Sequence, residues 1–161
     1  MSRVDATLDV SSVVERAISD HARRPGGLLP LLHQIQDELG YLPQEIVPRV
    51  ALAMHQSVAE VYGVIRFYHH FRLTPPGRHV LRVCLAESCQ SMGAGRLLQH
   101  ARDSLGVDLH QTTADGCLTL EPVYCLGNCA CSPALMVDAE LVGRVDGARF
   151  DAIVEQCRRP Q

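Results

Sequence analysis

The sequence predicts an α/β protein in two parts, a small helical bundle over residues 1–76 and a one-sheet α/β layer over residues 77–161. Three observations carry this reading. Before Thr74-Pro75-Pro76-Gly77 the apolar residues recur at helical spacing; after it they fall in short alternating runs; and all seven cysteines lie beyond residue 83. A chain of 161 residues suits one ordinary domain or two small ones.

In the first part, Ser12 and Glu15 have capping-box spacing ahead of VVERAISDHA, with Val13, Val14, Ala17 and Ile18 along one face. Arg24-Pro25-Gly26-Gly27 ends that segment. LLPLLHQIQDELG predicts a second helix, with Leu28, Leu31, Leu32, Ile35 and Leu39 inward and Gly40 as its stop. Pro43 opens a third helix through about Met54, in which Pro48 is tolerable only within the early turns. Ser57 and Glu60 make a second capping box, opening SVAEVYGVIRFYHHF. Beyond the linker, HVLRV (79–83) alternates as a strand does and delivers Cys84 at its end. SMGAGRLLQHARDSLG reads as one helix, with Leu97, Leu98, Ala101 and Leu105 inward and Gly106 closing it. LTLEPVYC (118–125), ALMVD (134–138) and ELVGRV (140–145) read as strands, and Asp146 caps a last helix, GARFDAIVEQC.

Composition removes several functions. Apolar residues at 47% and charged residues at 20% give a globular balance, not a disordered one. The net charge of -3 is spread over both parts, so neither has the basic footprint that nucleic acid demands, and no nucleic-acid partner is expected. Aromatic residues make up only 4%, without Trp, which leaves no base-stacking platform. All 15 basic residues are Arg, so a phosphate-binding P-loop lysine, a Schiff-base lysine and any other amine nucleophile are excluded. The first twenty residues carry acids and no apolar core of a secretory signal. No run approaches 18 uninterrupted apolar residues, so direct membrane insertion is not expected. The expected location is cytoplasmic, where thiols stay reduced and seven cysteines call for metal or cluster binding rather than disulfides.

The chemistry concentrates in two pairs, C-x4-C at Cys84 and Cys89 and C-x3-C at Cys125 and Cys129, separated by 35 residues. Each pair follows a predicted strand, so both can converge at one end of one sheet. Four thiolates from two loops suit a [2Fe–2S] cluster. Spacing leaves open a structural zinc site, whose ligand pairs sit two to four residues apart, and also plain buried thiols. An anionic cluster needs many N–H donors. With no Lys or Arg in 85–95, the backbone must supply them, and Gly93, Gly95 and Gly127 give it freedom to do so. Cys89 also lies just before the predicted helix N-terminus, where the dipole favours a thiolate. Cys117 reads as a buried apolar thiol, Cys157 as a structural or partly exposed one, and His69-His70 as structural or interface residues lacking a partner pair. The absence of any C-x-x-C disfavours thiol–disulfide exchange. No spacing suggests general acid–base catalysis, and no glycine-rich strand-to-helix loop suits NAD or FMN.

LLPLLHQIQDELGYLP, VAEVYGVIRFY, the strand leading into C-x4-C, and CLGNC followed by Ser-Pro together resemble the thioredoxin-like [2Fe–2S] ferredoxin subunit of complex I-type NADH dehydrogenases. The resemblance spans residues 28–89 and 117–145. It implies a helical bundle followed by a thioredoxin-like domain, with Cys84, Cys89, Cys125 and Cys129 as the iron ligands of one [2Fe–2S] cluster. It further implies a non-catalytic electron-transfer subunit that exchanges single electrons with the FMN of a flavin- and NADH-binding partner. CLAESCQSMGA and FYHHF are most similar to the gamma subunit of soluble NAD-dependent formate dehydrogenases, which implies a second partner carrying molybdenum and Fe–S centres. FMN, NAD and the molybdenum cofactor would then sit only on partners. The matching subunit of complex I or of an NAD-linked hydrogenase is the alternative, and a zinc-stabilised assembly module is the alternative of another class. Two residues depart from the commoner complex I pattern. Asn128 could donate a hydrogen bond toward the cluster, and Cys131 adds a neighbouring thiol.

Overall fold

The structure, a computed structural model, describes residues 9–159; residues 1–8 and 160–161, the outer ends of the two predicted parts, lie outside the described residues. The chain separates into two compact units, the division falling between Pro75 and Pro76.

The first unit is helical: α1 (Val10–His21), α2 (Leu28–Leu39), a 3-10 turn at Gln44–Ile46, α3 (Val47–Ala53) and α4 (Val58–Phe67). Their apolar stripes meet in one core, with Val13, Val14, Leu31, Leu32, Ile35, Leu42, Val50 and Val61 fully or almost fully closed to solvent. Three boundaries differ from the sequence reading. Asp9, not Ser12, caps α1: its carboxylate accepts the Ser11 N–H at 3.1 Å and its carbonyl accepts the Ser12 hydroxyl at 2.8 Å. Asp caps as well as Ser and stands earlier, so α1 starts sooner, and Glu15 is left to pair with Arg49 at 2.6 Å. The expected third helix is broken in two. Pro48 has no N–H to close an α-helical bond onto Gln44, so the chain makes the tighter Val47 N–H to Gln44 carbonyl bond and α3 begins with Pro48 in its first turn. Finally, α4 stops at Phe67 instead of running on to Phe71. Gln36, buried on α2, must satisfy its amide; it donates to the His70 carbonyl at 2.8 Å and accepts the Arg72 N–H at 2.8 Å, which holds that stretch out of the helix.

The second unit is a five-stranded sheet in the order β2-β3-β1-β4-β5, built from β1 (His79–Cys84), β2 (Gln111–Thr112), β3 (Leu118–Val123), β4 (Ala134–Val137) and β5 (Glu140–Gly143). Only β1 and β3 run parallel, from His79 opposite Leu118 to Cys84 opposite Val123; the other pairs are antiparallel. A parallel pair needs a crossover, here made by α5 (Glu87–Ser91) and α6 (Ala94–Leu105), while α7 (Gly147–Arg158) closes the chain. Leu81, Val83, Leu118, Leu120 and Leu135 of the sheet share a core with Leu97 and Ala101 of α6 and Phe150 and Val154 of α7. The helix expected at 91–106 is α6, and a short helix that the sequence reading lacked, α5, precedes it. Gly93, at a φ of 100° in the left-handed region, turns the chain between them and places Cys89 inside α5 rather than ahead of a helix. The two-residue β2 carries no pattern that periodicity could detect. Among the described residues no helix is long and apolar enough to cross a membrane.

Both halves of the Ser57–Glu60 capping box are formed: the Glu60 N–H reaches the Ser57 hydroxyl at 3.2 Å and the Ser57 N–H reaches the Glu60 carboxylate at 2.7 Å. The Ser57 backbone N–H and then its hydroxyl hold the Glu60 carboxyl below its ordinary value. A carboxyl lowered on folding stabilises the fold above its unfolded titration and loses that contribution as pH falls through the lower, folded value. Ser57→Ala should therefore lower the stability of the helical unit by about 1 kcal/mol at neutral pH in urea unfolding. The difference from wild type should shrink on acidification through and below the ordinary carboxylate range.

Candidate metal centre

Parallel pairing of β1 and β3 sets the site. Cys84 ends β1 and, with Val123 as its register partner, stands beside the exit of β3, two residues before Cys125. The N–H of Leu85 bonds the Val123 carbonyl at 2.8 Å, carrying the pairing one residue past the strands. Cys89 comes back over the same end on α5, and Cys129 opens a 3-10 turn that runs to Cys131. The two expected pairs are thus brought to one end of one sheet, in hydrogen-bonding contact within each pair, Cys84 with Cys89 and Cys125 with Cys129.

The pairs differ in exposure. Cys84 and Cys89 are each 2% exposed and pack with Ala94 and Ala134, whereas Cys125 and Cys129 lie open to solvent. Burial pushes the Cys84 thiol up, opposed by the N–H groups of Ala86 and Leu126. Burial would also raise Cys89, but hydrogen bonds with Ser132 and Cys84 and with the Ala134 N–H outweigh it, leaving that thiol below its ordinary value. Cys129 is pushed up, first by its bond to Cys125 and then by the charges of Cys125 and Cys89. The backbone amides reaching sulfur thus come from Ala86, Leu126 and Ala134, and from Gly127, whose N–H points at Cys125 Sγ at 3.4 Å. Cys125 itself is held at a φ of 144°, a conformation that costs a side-chain-bearing residue about 1–3 kcal/mol and that the surroundings must over-determine.

Four thiols in two facing pairs, fringed by N–H donors, fit a two-iron cluster, which spreads its ligands over two metals. A mononuclear zinc site would need the four sulfurs gathered round one ion. Among the described residues, no group of three or more His, Cys, Asp or Glu side chains is placed to hold a single metal ion.

The remaining candidates lie elsewhere. Cys117 is buried in the core of the second unit, accepting from Arg78 at 3.3 Å and facing the Cys157 carbonyl at 3.5 Å. Cys157 is half-buried on α7 and raised by burial. His69 and His70 follow α4 in the first unit, where His70 stacks on His33 at 5.0 Å. Asn128 and Cys131 form one side of a tight contact with β5: a Cβ on Gly143 would stand 2.6 Å from Cys131 Cβ and 2.7 Å from Asn128 Nδ2. The amide of Asn128 therefore lies against Gly143. The Arg144 N–H to Cys131 carbonyl bond, 2.6 Å, pins the same turn. Sequence reasoning missed Gly143, and it missed Ser88 and Ser132, whose hydroxyls meet at 2.9 Å between the two cysteine loops. Nothing but the Ser-Pro after the second motif hinted at the last of these, and partners 44 residues apart leave no periodic trace.

Residues 14–158 match the family described as thioredoxin-like [2Fe-2S] ferredoxin. Among curated proteins, the chain is 32% identical over 143 residues to the NADP-reducing hydrogenase subunit HndA of Solidesulfovibrio fructosivorans, covering 89% of this chain and 84% of that one. It is 32% identical over 136 residues to NADH-quinone oxidoreductase subunit 2 of Thermus thermophilus, covering 84% and 75%. Among solved structures, it superimposes on a chain of an NAD+-reducing [NiFe]-hydrogenase, crystallised in the air-oxidised state, with a TM-score of 0.67 and 27% identity. That match covers 82% of this chain and 23% of the hydrogenase chain, so this protein spans about a quarter of that longer one.

Because nothing but hydrogen fits against the Asn128–Cys131 turn at position 143, Gly143→Ala should destabilise the second unit by about 1–3 kcal/mol in urea unfolding. Gly95→Ala, on the open side of α6 with no neighbour within 4 Å, should cost nothing.

Proposed function

This chain belongs to the thioredoxin-like [2Fe–2S] ferredoxin family, with one [2Fe–2S] cluster per chain, and from that premise we propose that it is the electron-transfer subunit of an NAD(P)-linked oxidoreductase complex. It is not itself catalytic; it exchanges single electrons with the FMN of an NADH-binding partner. The observation that carries this is the meeting of Cys84, Cys89, Cys125 and Cys129 at one sheet end under backbone N–H donors.

Bound by these four thiolates, the cluster supplies a site that takes up and returns one electron at a time. The chain's residues supply the rest. Cys84 and Cys89, each buried, would hold the inner side and keep water from it. The N–H groups of Ala86, Leu126, Gly127 and Ala134 offset the negative charge without a cationic side chain. Cys125 and Cys129 would present the outer side, the route by which electrons come and go, and Tyr124, next to Cys125 in the chain, stands 67% exposed. An exposed tyrosine there suits contact with the flavoprotein partner.

For the parent complex, the CLAESCQSMGA and FYHHF stretches support a cytoplasmic NAD-dependent formate dehydrogenase, with a molybdenum- and Fe–S-containing catalytic partner. The functions of the relatives support the second reading, a complex I or hydrogenase assembly. Metal analysis of the complex isolated through this chain separates them: molybdenum supports the first, nickel or the membrane-bound components of complex I the second.

The dithionite-reduced, anaerobically purified chain should give a half-spin EPR signal of about one spin per chain, absent when oxidised. Cys84→Ala, Cys89→Ala, Cys125→Ala and Cys129→Ala should each abolish it, whereas Cys131→Ala should keep it. A silent wild-type protein with stoichiometric zinc would sink the electron-transfer reading and leave the cysteines a structural staple.

A further inference from the structure

Ser88 and Ser132 form a hydroxyl bridge between the two cysteine loops. Ser132 is 8% exposed. Its hydroxyl donates to the Cys129 carbonyl at 2.9 Å, lies 2.9 Å from the Ser88 hydroxyl, and stands 3.4 Å from Cys89 Sγ, which donates its thiol proton to it. Ser88, with one hydroxyl proton, shares it between the Cys129 carbonyl at 3.2 Å and the Ser132 oxygen at 2.9 Å. That carbonyl therefore has two hydroxyl donors, while the sulfur has its own proton to give.

The proton count changes when Cys89 becomes a ligand, because a metal-bound sulfur is a thiolate and can only accept. Its thiol proton leaves to solvent. The 3.4 Å contact between Ser132 and Cys89 would then set lone pairs against each other unless Ser132 turns its hydroxyl. It can turn without leaving a bare acceptor, because Ser88 still serves the Cys129 carbonyl. We propose that in the loaded protein Ser132 donates its hydroxyl to the Cys89 sulfur while Ser88 alone holds the Cys129 carbonyl, making Ser132 a positioning residue that raises the cluster's reduction potential. A donor to a ligand sulfur stabilises the reduced, more negative cluster more than the oxidised one, and hydrogen bonds to sulfur are among the determinants of such potentials. This inference rests on the ligand reading above, through Cys89.

The test is an EPR-monitored redox titration of the loaded, full-length chain. Ser132→Ala should keep about one spin per chain but move the midpoint to more negative potential, by about tenfold in the reduced-to-oxidised ratio, or about 59 mV for one electron. Ser132→Thr, which keeps the hydroxyl, should restore the wild-type midpoint, and Ser88→Ala should shift it less than Ser132→Ala. An unchanged midpoint in Ser132→Ala at full spin count overturns the proposal. Should Ser132→Ala fail to hold a cluster, Ser132→Thr decides: a wild-type midpoint upholds the hydroxyl's role, and a negative shift overturns it. Cys89→Ala separates this failure from failure of the ligand reading. If that variant keeps the wild-type signal, Cys89 is no ligand and both fall; if it loses the signal while Ser132→Ala keeps the wild-type midpoint, only the serine proposal falls.

Discussion

The parallel pairing of β1 with β3 is the constraint on which the centre depends. Were the two strands antiparallel, Cys84 and Cys125 would leave at opposite ends of the sheet, and no side-chain adjustment could bring them together. Parallel strands oblige the chain to cross over the sheet before the second can begin. The crossover helices are therefore structural necessities first. Their use as carriers of Cys89 and of the apolar face over the sheet follows from where the crossover must pass. The core beneath, from Leu81 and Leu118 to Phe150, keeps these strands in register, so packing remote from the sulfurs fixes the distance between the loops that bear them.

Charge is the second constraint. A protein with no lysine, and with no basic side chain between residues 85 and 95, meets an anionic cofactor with its backbone. Amides at Ala86, Leu126, Gly127 and Ala134 point at sulfur because the loops there turn sharply, and the unusual φ of Cys125 belongs to the same turning. Backbone dipoles are fixed by the fold, so they cost no side-chain ordering and resist replacement by mutation.

Much of this was legible in the sequence. The α2 stripe, the Ser57–Glu60 box, the strands that begin at His79 and Leu118 and the Asp146 cap follow from local chemistry that each segment settles alone, though the second strand ends at Val123 and not at Cys125. The clustering of cysteines after strands was legible too, because strand ends are where loops present ligands. What failed was decided by competition or distance. Asp9 displaced Ser12 as a cap, a choice that two nearby candidates leave open. Gln36 drew residues 70–72 out of a helical pattern from 34 residues away, and Gly93 delayed α6 to Ala94 behind a short helix, α5, that no pattern announced. Gly143 and the two serines are invisible to periodicity because their meaning lies wholly in what they touch.

The unequal exposure of the two cysteine pairs gives the centre a front and a back. Whatever approaches from solvent, whether an iron donor, a chelator or an oxidant, meets Cys125 and Cys129 before it can reach Cys84 and Cys89. The outer pair is thus the solvent side of the site and the inner pair its protein side, and the turn that follows Cys129 is tied to β5. The Arg144 N–H bond to the Cys131 carbonyl and the bare face of Gly143 make that tie. Which face of the site the solvent meets is therefore fixed from the sheet edge, by a glycine and a backbone bond that belong to neither cysteine pair.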